Sequence, residues 1–192
     1  MSKFYIREAS LKDASRILEI YAPYIQETTY SFEYEVPTLP EFEKRMAGIM
    51  EKYPWLVCEE DGEIIGYAYA DMYAVRKAYE WCADLSVYVD REHRGSGAGA
   101  LLYKILIAVL KEMHFQNLYA VITGENMGSV AFHEKMGFET FAVYPKSGYK
   151  FGKWLDVIWM QLFINGHENP PREIQWISEL PEGTVAEIIR KM

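Results

Sequence analysis

The sequence predicts a mixed α/β fold built on one central sheet, with helices interleaved among its strands. Three observations predict it. Strand-like and helix-like segments succeed one another along most of the chain, in the order β-α-α-β-β-β-α-β-α-β-β. Half of the 192 residues are hydrophobic, enough for one well-buried core and too many for a disordered chain. A glycine-rich turn, Arg94-Gly95-Ser96-Gly97-Ala98-Gly99-Ala100, joins a β-rich segment to a long apolar helix.

The elements follow in order. Phe4–Arg7 reads as a strand. Ser10-Leu11-Lys12-Asp13 has the pattern of a capping box, and Ala14, Ile17, Leu18 and Tyr21 then fall on one helical face. Pro23 and Thr28–Val36 read as an irregular loop holding Tyr30, Phe32 and Tyr34. Thr38-Leu39-Pro40-Glu41 opens a second helix whose buried stripe is Phe42, Met46, Ile49 and Tyr53, with proline tolerated in the first turn. Trp55–Glu59 and Glu63–Met72 form a hairpin about Asp61-Gly62, because glycine accepts positive φ. Tyr73–Ala78 is a loop carrying Arg76 and Lys77, and Glu80–Val89 is a strand running toward the glycine turn.

Beyond the turn, Leu101, Leu102, Ile105, Leu106, Val109, Leu110 and Met113 mark a strongly apolar helix. Leu118–Ile122 is a strand. Asn126–Met136 is a helix closed by Gly137. Phe138–Val143 and Trp154–Leu162 are the last strands, flanking an expected loop at Tyr144–Lys153. Residues 1–164 are expected to form the domain. Asn165–Arg172, with Pro170-Pro171, reads as a linker, and Glu173–Met192 as a short tail with a final helix over Val185–Lys191.

Composition narrows the function classes. A formal charge of −8 argues against a broad surface for nucleic acid, while leaving room for a local basic pocket for one phosphorylated ligand. Cys58 and Cys82 make no disulfide framework, and no zinc-ligand spacing occurs, so no metal is expected. Residues 1–7 lack an apolar signal core, and no stretch approaches the roughly 18 apolar residues of a membrane span. A soluble cytoplasmic protein is the expectation.

The glycine turn has competing readings. Gly95-x-Gly97-x-x-Ala100 matches a dinucleotide fingerprint, which also requires an acidic residue at the end of the following strand to hold a ribose hydroxyl. That strand is followed by Thr123-Gly124, with Glu125 lying past it, and a hairpin precedes the turn. A phosphate cradle without a Rossmann sheet needs only close backbone N–H groups and a helix N-terminus, and Arg91, His93 and Arg94 add cationic character. A solvated glycine turn with a basic flank is the plainest alternative.

The spacing Arg94-x-x-Gly97-x-Gly99 resembles the acetyl-CoA signature of the GNAT N-acetyltransferase superfamily, and the element order over about residues 3–163 resembles that fold. Within the superfamily the chain resembles the phosphinothricin and methionine sulfoximine N-acetyltransferases. The matching stretches are Tyr53-Pro54-Trp55-Leu56-Val57, Arg76-x-Ala78-Tyr79-x-Trp81, Val87-Tyr88-Val89, His133-Glu134 with Gly137-Phe138, and Gly148-Tyr149-Lys150-x-Gly152-x-Trp154-x-Asp156-Val157.

The resemblance implies acetyl-CoA as cofactor. Its acyl arm would pair with backbone at Val87, Tyr88 and Val89, and its pyrophosphate with Gly95, Ser96, Gly97, Ala98, Gly99 and Ala100 after Arg94. Asn126, near Ser129, matches a cofactor-contacting position and serves equally well as a helix cap. The relatives carry a glutamate base in the fourth strand, where this chain has Asp84. Aspartate is one methylene shorter, which favours action through a bridging water, and its reference pKa of ~3.9 must rise for efficient proton abstraction. A strand carboxylate that only orders water is the plain alternative.

His133 sits where many members of the superfamily place a tyrosine that protonates the departing thiolate. It is equally read as a packing histidine. Arg76 is the candidate for a substrate carboxylate, because its planar fork matches one bidentately. Phe32 and Tyr88 would wall the substrate side chain, although Phe32 also suits core or dimer packing. The implied activity is acetyl transfer to the α-amine of a small amino acid or analogue. Alternatives are acetylation of protein N-termini or polyamines, and a weakly active coenzyme A-binding module. A homodimer is expected.

Overall fold

The computed structural model describes residues 4–192, so Met1–Lys3 of the N-terminal segment lie outside the described residues. Seven strands form one sheet: β1 (Tyr5–Glu8), β2 (Trp55–Glu60), β3 (Glu63–Met72), β4 (Cys82–Val89), β5 (Asn117–Thr123), β6 (Glu139–Lys150) and β7 (Lys153–Phe163). Their spatial order is β1-β2-β3-β4-β5-β7-β6. Every neighbouring pair is antiparallel except β4–β5, which is parallel and pairs at only three positions.

Five helices complete the fold: α1 (Ala14–Glu27), α2 (Leu39–Met50), α3 (Ala98–Glu112), α4 (Met127–Lys135) and α5 (Thr184–Lys191). Strand alternation assigns them to the two faces of the sheet. Tyr88 of β4 packs against Tyr21 and Tyr24 of α1, and Phe42 of α2 meets Trp55, so α1 and α2 cover that face over β2–β4. A Cβ on Gly99 of α3 would meet the side chains of Val87 and Val89, which puts α3 on the opposite face. Tyr103 of α3 contacts Phe132 and His133, so α4 shares that side.

Local chemistry explains most boundaries. The α2 box closes as expected, with the Thr38 N–H donating to Glu41 at 2.8 Å. Asp61 and Gly62 both take positive φ, as the hairpin turn requires. Gly137, at φ 93°, ends α4.

Three regions correct or extend the sequence reading. α1 runs straight through Pro23, which was expected to begin a loop. Proline deletes one helical hydrogen bond, but Tyr21, Tyr24 and Ile25 on its flanks are buried in the core, and this packing holds the helix. The expected loop at Tyr144–Lys153 is a long β6–β7 hairpin. Its bulge lies between Tyr144 and Gly148, and its turn is Phe151-Gly152, both at positive φ. The segment after Asn165 lies against the domain. Asn165 Nδ2 donates to the Phe115 carbonyl at 2.6 Å, Trp176 packs on Tyr53 with ring centroids 5.6 Å apart, and Val185 of α5 joins the main core. Among the described residues no helix is long and apolar enough to cross a membrane.

Candidate active site

β4 and β5 hold register at Cys82↔Asn117, Ala83↔Leu118 and Asp84↔Tyr119, and pair no further. β4 continues to Val89 against β3, while β5 continues to Thr123 against β7. The strands therefore splay, and backbone groups on the open edge of β4 lose their sheet partners. A cleft occupies the opening. Leu85, Ser86, Val87 and Tyr88 form one wall, Ala120, Val121, Ile122 and Thr123 the other, and Asn126, Ser129 and His133 of the α4 region line it as well.

At the end of β4 the chain enters the glycine turn. Gly95 and Gly97 take φ of 75° and 97°, in the region where a side chain is strained. Gly97 is the N-cap of α3, so the first-turn amides, Gly99 and Ala100 among them, have no carbonyl four residues back inside the helix. Ser96 Oγ accepts from the Ala98 N–H at 3.3 Å. Gly99 would place a Cβ 3.2 Å from Val89 Cγ2, so its lack of a side chain lets α3 approach β4 closely. Arg94, Gly95, Ser96 and Gly97 are exposed, and the Arg94 guanidinium stacks 4.9 Å over the Tyr24 ring. Exposed donors, a helix N-terminus and a guanidinium fit a pyrophosphate, and the splayed edge of β4 fits an amide-bearing acyl arm.

Asp84 sits at the last paired position, where the splay begins. The residue is half-buried, but its Oδ1 is enclosed without a hydrogen-bond partner. Burial pushes its carboxyl up to about 7, opposed by the Leu85 N–H and reinforced by Asp71. Asp84 is not among the residues that line the cleft.

His133 is buried, and both ring nitrogens are engaged. Nδ1 lies 2.8 Å from the Ser129 carbonyl, to which it must donate. Nε2 then accepts from the Tyr103 hydroxyl at 2.9 Å. Burial lowers its pKa, against the opposing effect of the Ser129 carbonyl, so the ring is neutral at pH 7. Asn126 caps α4, its side chain accepting from the Ser129 N–H at 3.1 Å, and it lines the cleft as well, so its two readings hold together.

A second cavity of about 340 Å³ adjoins the cleft, lined by Tyr21, Tyr30, Ser31, Phe32, Glu33, Tyr88, Val121, Thr123 and Val157. Tyr30, Tyr88, Val121 and Thr123 line both spaces and form the neck between them. Phe32 lies flush against Gly148 of β6, where any Cβ would overlap its ring. The structure thus brings Phe32, Tyr88 and the cleft together. Arg76 is exposed in the loop after β3 and lines neither space.

Sequence reasoning missed three residues here. Thr123 is 4% exposed, with Oγ1 enclosed and unpartnered at the neck. Tyr103 holds His133. Lys150, 1% exposed, donates to the carbonyls of Ile25 at 2.7 Å and Ser31 at 2.6 Å, tying the aromatic loop to β6. A helical tyrosine four residues after Gly99, spaced to face the core, was the one available signal for Tyr103. Both cysteines are buried thiols whose pKa burial raises, consistent with packing residues.

A sheet splayed beside a glycine turn is the architecture of an acyl-coenzyme A-dependent transferase. The model of the acetyltransferase (GNAT) domain family matches residues 6–159, and this chain belongs to that family. It is an N-acetyltransferase that uses acetyl-CoA. The chain is 33% identical to a phosphinothricin N-acetyltransferase of Streptomyces viridochromogenes, over 91% of this chain and 95% of that protein. It is 32% identical to an L-methionine sulfoximine/L-methionine sulfone acetyltransferase of Salmonella typhimurium, over 86% of this chain and 97% of that one. The solved structure of a phosphinothricin acetyltransferase from Sinorhizobium meliloti, in complex with acetyl-CoA, superposes with a TM-score of 0.84 at 31% identity, covering 91% of this chain and 95% of its own.

Proposed function

We propose that this enzyme acetylates the α-amine of a small amino acid or analogue, of the phosphinothricin, methionine sulfoximine or methionine sulfone type. The observation that carries this reading is the pair of cavities meeting at Tyr30, Tyr88, Val121 and Thr123. One space has an unpaired strand edge for the cofactor. The other, of about 340 Å³, is within the range of small-molecule sites and carries aromatic walls for a side chain. The names of the relatives support the same substrate class.

In this reading the first-turn amides and Arg94 hold the pyrophosphate, and Val87, Tyr88 and Val89 hold the acyl arm by backbone. Asn126 and Ser129 border the arm across the cleft. When bound, acetyl-CoA supplies the thioester electrophile. An ammonium group has no lone pair, so Asp84 takes its proton first, through water, since Asp84 is absent from both cavity walls. A carboxyl pushed up to about 7 is matched to that task. His133, which lines the cleft, returns a proton to the departing sulfur, its ring held by the Tyr103 hydroxyl behind it. Phe32 and Tyr88 wall the substrate, and its carboxylate is assigned to Arg76, in the exposed loop after β3.

The residues that line the cleft and the adjoining cavity all precede residue 165, which supports a catalytic domain of residues 1–164 with residues 165–192 as a tail packed against it. Exposed Phe141, Val143 and Tyr144 on the edge strand β6 support a homodimer, to be checked by mass in solution. Two free buried thiols support a cytoplasmic location.

Release of coenzyme A thiol, followed across phosphinothricin, methionine sulfoximine, methionine sulfone and short peptides, tests the activity. Turnover on the first three supports the reading. Turnover on peptides alone overturns the substrate class. The position of Asp84 behind the cleft also favours a second reading, a coenzyme A-binding module of weak activity. Strong activation by Asp84→Glu would support that reading, and loss of activity would support a site built around aspartate.

A further inference from the structure

We propose that Asp71 is a positioning residue for Asp84, the two forming a cross-strand carboxylate pair that sets the pH at which the base works. The inference rests on the reading of Asp84 as the base. Asp71 and Asp84 are direct partners in the antiparallel β3–β4 register. Directly opposed residues share a face of the sheet, with Cβ atoms about 4.5–5.5 Å apart. Two carboxylates at that separation cannot ionise independently.

The two sites are not equivalent. Asp71 lines a groove beneath α2 together with Lys44, Arg45 and Lys52 and the carboxylates of Glu41 and Glu51, and its Oδ1 accepts from the Met72 N–H at 2.7 Å. Burial raises the Asp71 carboxyl as well, but the Met72 N–H and the Arg45 guanidinium oppose that and favour its ionised form. Asp84 has an enclosed Oδ1 with no partner. Asp71 therefore ionises first, and its charge resists ionisation of Asp84.

The other titratable groups around the pair are Tyr69 and Tyr73 from the β3 side, Tyr103 from α3, and Cys82 on β4 with Tyr119 on β5. Tyr53 and Arg45 act on the Asp71 side. The tyrosines and the thiol remain protonated at neutral pH, so Asp71 is the anion facing Asp84 across the strand pair. When the substrate ammonium releases its proton, Asp84 becomes the neutral acid and Asp71 stays ionised. One negative charge then remains where two stood, which drives the transfer.

The test is the pH profile of kcat/KM for Asp71→Asn, with acetyl-CoA and methionine sulfone as substrates. Activity requires ionised Asp84, so it falls on the acid side. Removing the Asp71 charge should move that acid limb down by about 1–2 pH units, the size expected for a like charge at this range under partial screening. Asp71→Glu should restore the limb toward its original position, and KM for acetyl-CoA should not change. Asp71→Ser serves as a second neutral variant should the amide not fold. An acid limb that stays in place overturns the proposal. So does a rise in amine KM without movement of the limb, which would make Asp71 an ammonium ligand. The underlying reading fails separately: if Asp84→Asn keeps its activity, Asp84 is not the base. If Asp84→Asn is inactive and the Asp71→Asn limb is unmoved, only the pairing is wrong.

Discussion

Replacing Lys150 by methionine should loosen the substrate cavity while sparing the cofactor cleft. The Lys150 ammonium donates to the Ile25 carbonyl, near the end of α1, and to the Ser31 carbonyl in the following loop. No carboxylate pairs with it among the described residues. Burial lowers its pKa, opposed by the field of Glu33. The side chain is sealed from water yet shallow, covered by the loop it fastens. Methionine fills much the same volume and leaves two carbonyls unpaired. An unmade buried hydrogen bond costs about 1–3 kcal/mol, and part of that is offset by no longer burying a charge. A net loss of about 2–4 kcal/mol follows, and the shallow position favours the lower end. For a domain of this size that is a fall in Tm of roughly 5–12 °C.

The functional effect should be selective, because Ser31, Phe32 and Glu33 line the second cavity and Lys150 touches no part of the cleft. KM for the amine should rise by about tenfold, the equivalent of ~1.4 kcal/mol, with KM for acetyl-CoA unchanged. Thermal melting and steady-state kinetics on both substrates measure this. A Tm within about 1 °C of the parent together with an unchanged amine KM would refute the idea that Lys150 anchors the loop.

Four further outcomes are expected. Gly97→Ala forces a side chain into φ 97°, which should cost about 1–3 kcal/mol and raise KM for acetyl-CoA while leaving amine KM alone. Gly148→Ala should displace the Phe32 ring and raise amine KM severalfold, with a small change in Tm, since the obstructing atoms are the far end of one side chain. Asp84→Asn should change stability with a defined sign. A carboxyl raised to about 7 in the fold has its ionisation resisted there, so the native protein is penalised above that pH and not below ~3.8. Relative to the parent, the variant should gain stability on going from pH 4 to pH 8, by no more than roughly 4 kcal/mol, as read by chemical denaturation at the two values. Trp176→Ala should release the C-terminal segment from Tyr53 and Phe115 and lower Tm by several degrees, with activity retained at 25 °C.

The cofactor side of the site was more legible in the sequence than the substrate side. Gly95, Gly97 and Gly99 each answer a local demand, positive φ twice and close approach once, and a glycine advertises such a demand by its identity. Asn126 likewise stands where a cap must stand. Phe32 and Gly148, by contrast, touch across more than a hundred residues, and neither predicts the other. The expectation of a loop at Tyr144–Lys153 failed because Pro145, Gly148 and Gly152 are punctuation for a bulge and a turn as much as for a loop. Pairing with β7 decided between them.

By itself the sequence determined the alternation of elements, the caps and turns, and the glycine cradle, because those signals act among residues within a few positions of one another. Only the tertiary structure decided that Pro23 lies within a helix, that Lys150 and Thr123 are buried, and that His133 has both nitrogens engaged. It also decided the state of Asp84. That carboxylate's chemistry depends on the point where β4 and β5 part and on the residue that β3 places opposite it. Burial and cross-strand register are set by partners distant in the chain, which no local pattern encodes.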